Sequence, residues 1–299
     1  MKIASVVVTY NRKELLNNTI ERLLNQTRKL DQIIIVDNAS TDGTESLLKN
    51  RGYFTNQYIS YIKMSENLGG AGGFNKGIKT AFERGFDWVW VMDDDGVPAI
   101  NCLEELLKYK KHSSFLAPLV LNIDNNKELS FHCKGITDRQ TIEREYSNTN
   151  LIEDYACPFN GILINKDLLL EVGFPKADMF IWGDEQEYYI RIKKSGVVPI
   201  TVVSAIHCHP KDRTKRVNTF FGKKSLLYPD GEFRQYIAFR NYTYINKKYY
   251  GLKGLIKRIV LYTYLFIITR KFDIKGLILF YKAFIDGLLE NFEGHKKYI

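Results

Sequence analysis

Apolar positions in the first hundred residues alternate between two rhythms. "IASVVVT" (3–9), "QIIIVD" (32–37) and "DWVWVMD" (87–93) are short, nearly continuous apolar runs, which predicts buried strands, and "YISYIKM" (58–64) alternates as a strand does. Between them "KELLNNTIERLLNQ" (13–26) repeats apolar residues at helical spacing. "STDGTESLLKN" (40–50) starts with cap-type residues and continues as a helix. "GGFNKGIKTAFERG" (72–85) reads as a helix ending at Gly85. Strands alternating with helices at this spacing predict βαβ units and a mainly parallel sheet, an α/β fold.

Beyond residue 95 the rhythm loosens. "CLEELLKYKK" (102–111) predicts a helix and "SFLAPLVL" (114–121) a strand. Residues 122–156 are polar and fit neither period. "GILINKDLLLEVG" (161–173) gives a strand and a short helix, "DEQEYYIRIKKSG" (184–196) a helix, and "VVPITVVSAIH" (197–207) a strand. From Phe233 onward the chain reads as helices: "FRQYIAFRNYTYINKKYY", "GLKGLIKRIVLYTYLFIITRK" and "IKGLILFYKAFIDGLLENF". The break near residue 230 predicts a catalytic domain followed by a helical appendage over 231–299.

In an open α/β sheet, ligands bind beyond the carboxyl ends of the strands. Four polar clusters fall there: Thr9 to Arg12, Asp37-Asn38, Asn67 to Gly70, and Asp93-Asp94-Asp95. Along an extended strand Asp93 and Asp95 share a side and Asp94 takes the other. Two carboxylates on one side suit Mg²⁺ or Mn²⁺, and a solvated acidic turn is the plain alternative. "NLGGAGGFNKG" carries five Gly in eleven residues. That pattern lets backbone approach a ligand at a helix N-terminus, or lets a helix pack closely on a sheet. It matches neither the P-loop nor the dinucleotide fingerprint.

"FIWGDEQEYYIR" (180–191) has Asp184 and Glu187 spaced as a capping box, which leaves Glu185 either as a general base beside Trp182 or as part of a plain acidic first turn that the helix dipole favours. In "HCHP" (207–210), His207 follows a strand and would complete a metal shell. A zinc site through Cys208 is disfavoured because no second ligand cluster has zinc spacing. "PKDRTKRVNTFFGKK" (210–224) is a basic stretch that either closes over a diphosphate or is a solvated loop. Arg240, within "FRNY", is a second phosphate candidate.

Composition narrows this picture. The 299 residues are 45% hydrophobic and 26% charged, as in an ordinary globular protein. From His209 onward 19 Lys/Arg face 7 Asp/Glu, while the preceding residues carry 24 against 27, so the net charge of +9 sits in the C-terminal third. That third is expected to meet something anionic. Its charges are interleaved with long aliphatic side chains and no nucleic-acid motif appears, which argues against nucleic acid. The scattered Cys102, Cys133, Cys157 and Cys208 suit a reduced cytosolic compartment. "MKIASVVVTYNRKE" is expected to be a strand rather than a secretory signal, and no apolar stretch reaches the ~20 residues a bilayer span needs.

The segments "VVVTYNR", "IIIVDNASTDGT", "ENLGGAGGFNKG", "VMDDDG", "FIWGDEQEY", "AIHCHP" and "FRNY" resemble glycosyltransferases of family 2 with the GT-A fold. They are similar in particular to bacterial galactofuranosyltransferases, with rhamnosyltransferases as near relatives. The resemblance implies a catalytic domain over 1–230, with a nucleotide-sugar half (1–120) and an acceptor half (121–230). It implies that Thr9 and Asp37 hold the uracil end of a UDP-sugar, that Arg12, Asn67 and Gly69 lie along the nucleotide or its diphosphate, and that Asp94 meets the donor. Asp93, Asp95 and His207 would bind the divalent cation, Mn²⁺ or Mg²⁺. Where the family usually has a second Asp this chain has Glu185, so the base is Glu185 or Asp184. The implied reaction is inverting sugar transfer to a glycan or polyprenyl-diphosphate-linked glycan. The basic helices would rest on an anionic membrane surface on the cytoplasmic side, or form an oligomer interface. Another sugar transferase of the same fold and a non-catalytic binding module are the competing readings.

Overall fold

The computed structural model describes residues 1–212, 214–220 and 222–298. In chain order the elements are β1 (Ile3–Thr9), α1 (Lys13–Leu24), β2 (Gln32–Asp37), α2 (Thr44–Asn50), β3 (Ile59–Lys63), α3 (Gly69–Glu83) and β4 (Trp88–Asp93). Then come β5 (Val97–Pro98), α4 (Cys102–Lys108), β6 (Phe115–Asn122), β7 (Asn125–Cys133), β8 (Ile136–Asp138), α5 (Arg139–Glu145), β9 (Leu151–Glu153), β10 (Asn160–Asn165) and α6 (Lys166–Val172). The chain ends with α7 (Asp184–Lys194), β11 (Ile200–His209), β12 (Arg216–Thr219), β13 (Lys224–Leu227), α8 (Glu232–Tyr264) and α9 (Ile274–Leu289).

Two compact units divide these elements: Met1–Ala177 with Tyr188–Asp212, and Asp178–Glu187 with Arg213–Ile299. The second therefore begins earlier than residue 230 and also takes in the turn before α7.

The first unit is built on one sheet in the order β3-β2-β1-β4-β10-β6-β11-β5. Strands β3, β2, β1 and β4 run parallel, β10 is antiparallel to both its neighbours, and β6 pairs β11 in parallel. The apolar runs follow from this layering, because the central strands are covered on both faces. Ile3 and Val7 of β1 face the core under α1 and α4, and Ala4, Val6 and Val8 face the core that includes Phe74 and Ile78 of α3. Residues 122–156, unreadable by period, form the β7–β8 hairpin, α5 and β9. Strand β7 starts exposed and polar at the sheet margin and turns inward only near Leu129.

Helix α3 explains much of the glycine-rich segment. A Cβ on Gly73 would strike Val8, and one on Gly77 would strike Val6 and approach Val36. These two glycines let the helix lie against the stiff β-branched side chains of the sheet.

The second unit is an antiparallel-hairpin-and-helix body around Tyr236, Phe239, Phe266 and Phe280. α8 runs across a kink at Gly251, where φ is 61° and ψ is −155°. Its last turn passes into a π-helical stretch over Leu265–Thr269. The sequence boundary between the first two predicted C-terminal helices is this kink.

Candidate functional site

The acidic triplet leaves β4 at Asp93 and turns, so Asp94 and Asp95 lie in the bend rather than on the strand. Thr19 of α1 holds that bend: its hydroxyl is 2.8 Å from the Asp94 carbonyl and 3.0 Å from that of Gly96. Asp93, Asp95 and His209 each offer a ligand atom within 4.8 Å of the others, the one such group among the described residues. Asp94 points elsewhere. It accepts from Thr9 Oγ1 at 2.7 Å and from Arg12 Nη1 at 3.2 Å. The separation of Asp94 from its neighbours is thus made by a turn pinned by Thr19, not by strand alternation.

The electrostatics show a group short of positive charge. Burial and then repulsion from Asp95 and Asp94 hold the Asp93 carboxyl well above the ordinary carboxylate range. Burial likewise lifts Asp94 to about 6, against the opposing pull of Thr9 and Arg12. Asp95 is also penalised by burial, but His209 and Arg12 outweigh that and hold it low. Arg12 Nη1 reaches Asp95 Oδ2 at 2.7 Å, and His209 Nε2 lies 3.3 Å from Asp95 Oδ1. Arg12 and the His209 ring therefore stand at the carboxylates.

The residues fit a hard divalent cation. Apart from its ion pair with His209, Asp95 Oδ1 is buried and makes no hydrogen bond among the described residues. His209 Nδ1 lies 2.6 Å from the Pro210 carbonyl, which places the proton there and turns the Nε2 lone pair toward the aspartates.

His207, expected as the metal ligand, is corrected by this geometry. It pairs with Val120 and Pro98 in mid-sheet, and its ring fills the space left by the missing side chains of Gly96 and Gly161. It is fully buried, neither ring nitrogen has a hydrogen-bond partner among the described residues, and burial drives its pKa down to about 3. His209 shares its parity but sits two residues further along β11, at the carboxyl end where Asp95 turns in.

Around the triplet the loops after β1 and β2 are laced together. Asn11 Oδ1 accepts from Thr41 N, and the Asn11 N–H donates to Ser40. Asn11 and Ala39 both take positive φ, 55° and 61°. Asp37 is buried, accepting from the Ser40 N–H at 2.8 Å and from Tyr61 Oη at 2.6 Å. Asn67 Oδ1 accepts from the Gly69 N–H at 2.8 Å, so that donor of the α3 N-terminus is already engaged.

The turn before α7 belongs to the second unit. α7 starts helically at Asp184, with Gly183 at φ 91° before it. The Glu187 N–H donates to the Gly183 carbonyl, and the Glu187 carboxylate accepts from Lys248 Nζ at 2.9 Å and Tyr249 Oη at 2.7 Å. The expected capping box is therefore displaced: Gly183 occupies the cap position, and Glu185 Oε2 folds back to accept from the Gly183 N–H at 3.1 Å. Asp184 is buried and Glu185 partly exposed. Trp182 is half-buried in the second unit's core.

Arg240 is also corrected. It is fully buried, and its guanidinium is spent on the carbonyls of Met179 and Phe292 and on Asn241 Oδ1. It offers nothing to a phosphate. The basic stretch 210–224 carries β12 and the first residue of β13, with Lys211 on Glu128 and Lys215 on Asp230; Arg213 and Phe221 lie outside the described residues. His209 and Asn241 were missed by sequence reasoning. The available signal for the first was the i, i+2 spacing in "HCHP".

Comparison with known proteins decides the family. The profile described as "Glycosyl transferase family 2" matches residues 5–169. The chain belongs to this family. It is 32% identical to a galactofuranosyltransferase, GlfT1, of Mycolicibacterium smegmatis, over 92% of either chain. It is 31% identical to GlfT1 of Mycobacterium tuberculosis, over 92% of this chain and 91% of that one. A mannosyltransferase of Pyrobaculum calidifontis, solved with GDP-Man and Mn²⁺, superposes with TM-score 0.55 at 15% identity, over 86% of this chain and 64% of that one. GalNAc-T7, solved with UDP, GalNAc and Mn²⁺, superposes with TM-score 0.58 at 13% identity, over 83% and 48%. At those identities the two structures establish the shared GT-A fold. The protein is a family 2 glycosyltransferase, dependent on a nucleotide sugar and similar to galactofuranosyltransferases.

Proposed function

We propose that this enzyme transfers galactofuranose from UDP-galactofuranose to a glycan or polyprenyl-diphosphate-linked glycan in bacterial surface-polysaccharide synthesis, with inversion at the anomeric carbon. The observation that carries the donor is the 32% identity to a galactofuranosyltransferase across 92% of the chain. Asp93, Asp95 and His209 would hold Mn²⁺ or Mg²⁺, which would offset the charge on the departing diphosphate. Arg12 moves from Asp95 toward that diphosphate, Thr9 and Asp37 serve the uridine end, and Asn67 and Gly69 line the donor. Asp94 holds Thr9 in place for it.

Glu185 or Asp184 accepts the proton of the acceptor hydroxyl, with Trp182 beside the sugar. The hydroxyl oxygen bonds the anomeric carbon as the bond from that carbon to the phosphate oxygen breaks, and UDP leaves with the electron pair. A panel of nucleotide sugars, assayed for UDP or other nucleotide release with metal and acceptor, tests this. Release from UDP-galactopyranose or a dTDP-rhamnose donor, but not from UDP-galactofuranose, sinks the donor assignment.

The second unit supplies a membrane contact on the cytoplasmic face, which suits a lipid-linked acceptor. Leu252, Phe272 and Leu289 are 71%, 69% and 72% exposed, alongside exposed Lys253, Lys257, Lys271 and Lys275. Among the described residues no helix is long and apolar enough to cross a membrane. A homo-oligomer through the same apolar positions is the competing use of this surface.

A further inference from the structure

The turn that leads into α7 is backbone under strain. Phe180, Trp182 and Gly183 all have positive φ, at 68°, 66° and 91°, and the first two are bulky aromatics that rarely adopt it. Such a run persists only where its surroundings impose it. The carbonyls freed by the turn converge on one side chain. Asn241 Nδ2 lies 2.8 Å from the Met179 carbonyl, 3.0 Å from that of Ile181 and 2.9 Å from that of Trp182.

Asn241 is itself held. Its Oδ1 accepts from Arg240 Nε at 2.9 Å, so its amide is oriented with the donors toward the turn. Arg240 Nη2 adds a bond of 3.1 Å to the Met179 carbonyl, and its Nη1 donates to the Phe292 carbonyl at 2.6 Å. The Phe292 ring lies under the guanidinium, 5.1 Å from Cζ, and the His295 ring lies 4.9 Å from that of Phe180, tilted by 40°. Both Arg240 and Asn241 are fully buried. A buried guanidinium is costly unless its donors are used, and here they go to backbone carbonyls of two segments and to Asn241 Oδ1.

We propose that Arg240 and Asn241 are positioning residues for the acids of the α7 first turn, and that Phe292 and His295 of the C-terminal segment form the outer jaw of the same clamp. The clamp fixes the Met179–Gly183 backbone, Gly183 sets the start of α7, and the Gly183 N–H holds Glu185. The C-terminal segment thus acts on the reaction through the backbone that carries Asp184 and Glu185. This rests on the reading that one of those two acids is the base.

The experiment uses the full chain with UDP-galactofuranose as donor, an octyl galactoside as acceptor and Mn²⁺. Asn241→Ala is expected to lower kcat by roughly 10²-fold, the scale for a reacting group displaced by about 1 Å. The donor KM and the affinity for UDP with Mn²⁺ stay unchanged, and amide exchange speeds up over 180–185. Arg240→Lys falls between this variant and the parent. Unchanged kcat, unchanged exchange over 180–185, or an equal loss of UDP affinity overturns the proposal. If Asn241→Ala fails to fold, His295→Ala at the outer jaw takes its place, with faster exchange over 180–185 and a kcat loss at constant KM expected, and their absence decisive against the clamp. Glu185→Gln and Asp184→Asn separate the two ideas. If both retain full transfer, the base reading fails. If one abolishes transfer while Asn241→Ala keeps kcat, the clamp alone fails.

Discussion

Three adjacent aspartates do three different things because of what surrounds each. Asp93 is raised by burial and by its two carboxylate neighbours, Asp94 is engaged by Thr9 and Arg12, and Asp95 is paired with Arg12 and His209. His209→Ala is expected to weaken Mn²⁺ binding at least tenfold and to abolish transfer, as are Asp93→Ala and Asp95→Ala; Asp94→Ala weakens transfer less. His207→Ala leaves Mn²⁺ affinity near the parent's, since that ring packs on Gly96 and Gly161. Calorimetric titration of both histidine variants checks this, and equal losses would return His207 to the metal. The pH dependence has a definite sign. Burial and the neighbouring carboxylates raise Asp93, so without a cation it keeps a proton at pH values where a free Asp has lost it. A cation must displace that proton, so affinity rises with pH, and titrations in buffers of different ionisation enthalpy should register proton release. The acidic triplet and the histidine pair were legible as residue types. Which histidine faces the carboxylates was not, because it depends on where β11 ends relative to the turn after β4.

At the scale of elements, the strands of the parallel half were readable because covering both faces leaves an uninterrupted apolar signature. Segment 122–156 was not, because an exposed margin strand has no such constraint. The capping box failed for a local reason: Gly183 takes a positive φ and moves the helix start by one residue. The glycines of α3 had two readings, and the packing one is testable. Gly77→Ala should destabilise the protein by ~1–3 kcal/mol, the usual cost of overpacking, without changing UDP affinity. Gly70→Ala, whose Cβ meets only the rim of Phe74, should cost no stability. Denaturant midpoints of the two variants make the comparison. Helix α9 offers a pH test. Asp273 caps it, accepting from the Gly276 N–H at 2.9 Å, and pairs with Arg270. Burial raises this carboxyl slightly, but the Gly276 N–H and Arg270 outweigh it, so its pKa is lower folded than unfolded. Its contribution is therefore complete above the unfolded value of about 3.9 and disappears as pH falls through the folded one. Asp273→Ala should cost ~0.5–2 kcal/mol at neutral pH, and the gap should close in strong acid.

For the whole molecule, the excess of +12 from His209 onward calls for a partner, and the second unit shows how apolar and basic positions combine. Leu252, Ile256 and Val260 recur every four residues on α8, and Ile274, Ile278, Ile285 and Leu289 follow helical spacing on α9; all are exposed. Between residues 250 and 285 the only acid is Asp273, which is taken by Arg270. A second copy of the chain would place these lysines against each other, whereas an anionic lipid surface accepts both the lysines and the aliphatic side chains. Inserting a Leu or Phe contributes roughly 1.5–3 kcal/mol, and each Lys near such a surface about 1 kcal/mol. Flotation with anionic vesicles, against vesicles of neutral lipid, is therefore expected to recover the protein, and added salt to weaken recovery only in part. Deleting 252–299 is the wrong test, because it removes Phe292 and His295 from Arg240. Leu252→Ser, Phe272→Ser and Leu289→Ser together leave that contact intact. The triple variant should lose flotation, stay folded, and keep its turnover of a water-soluble acceptor. A triple variant that still floats, or a parent protein that dimerises through this face and ignores anionic vesicles, would assign the surface to self-association.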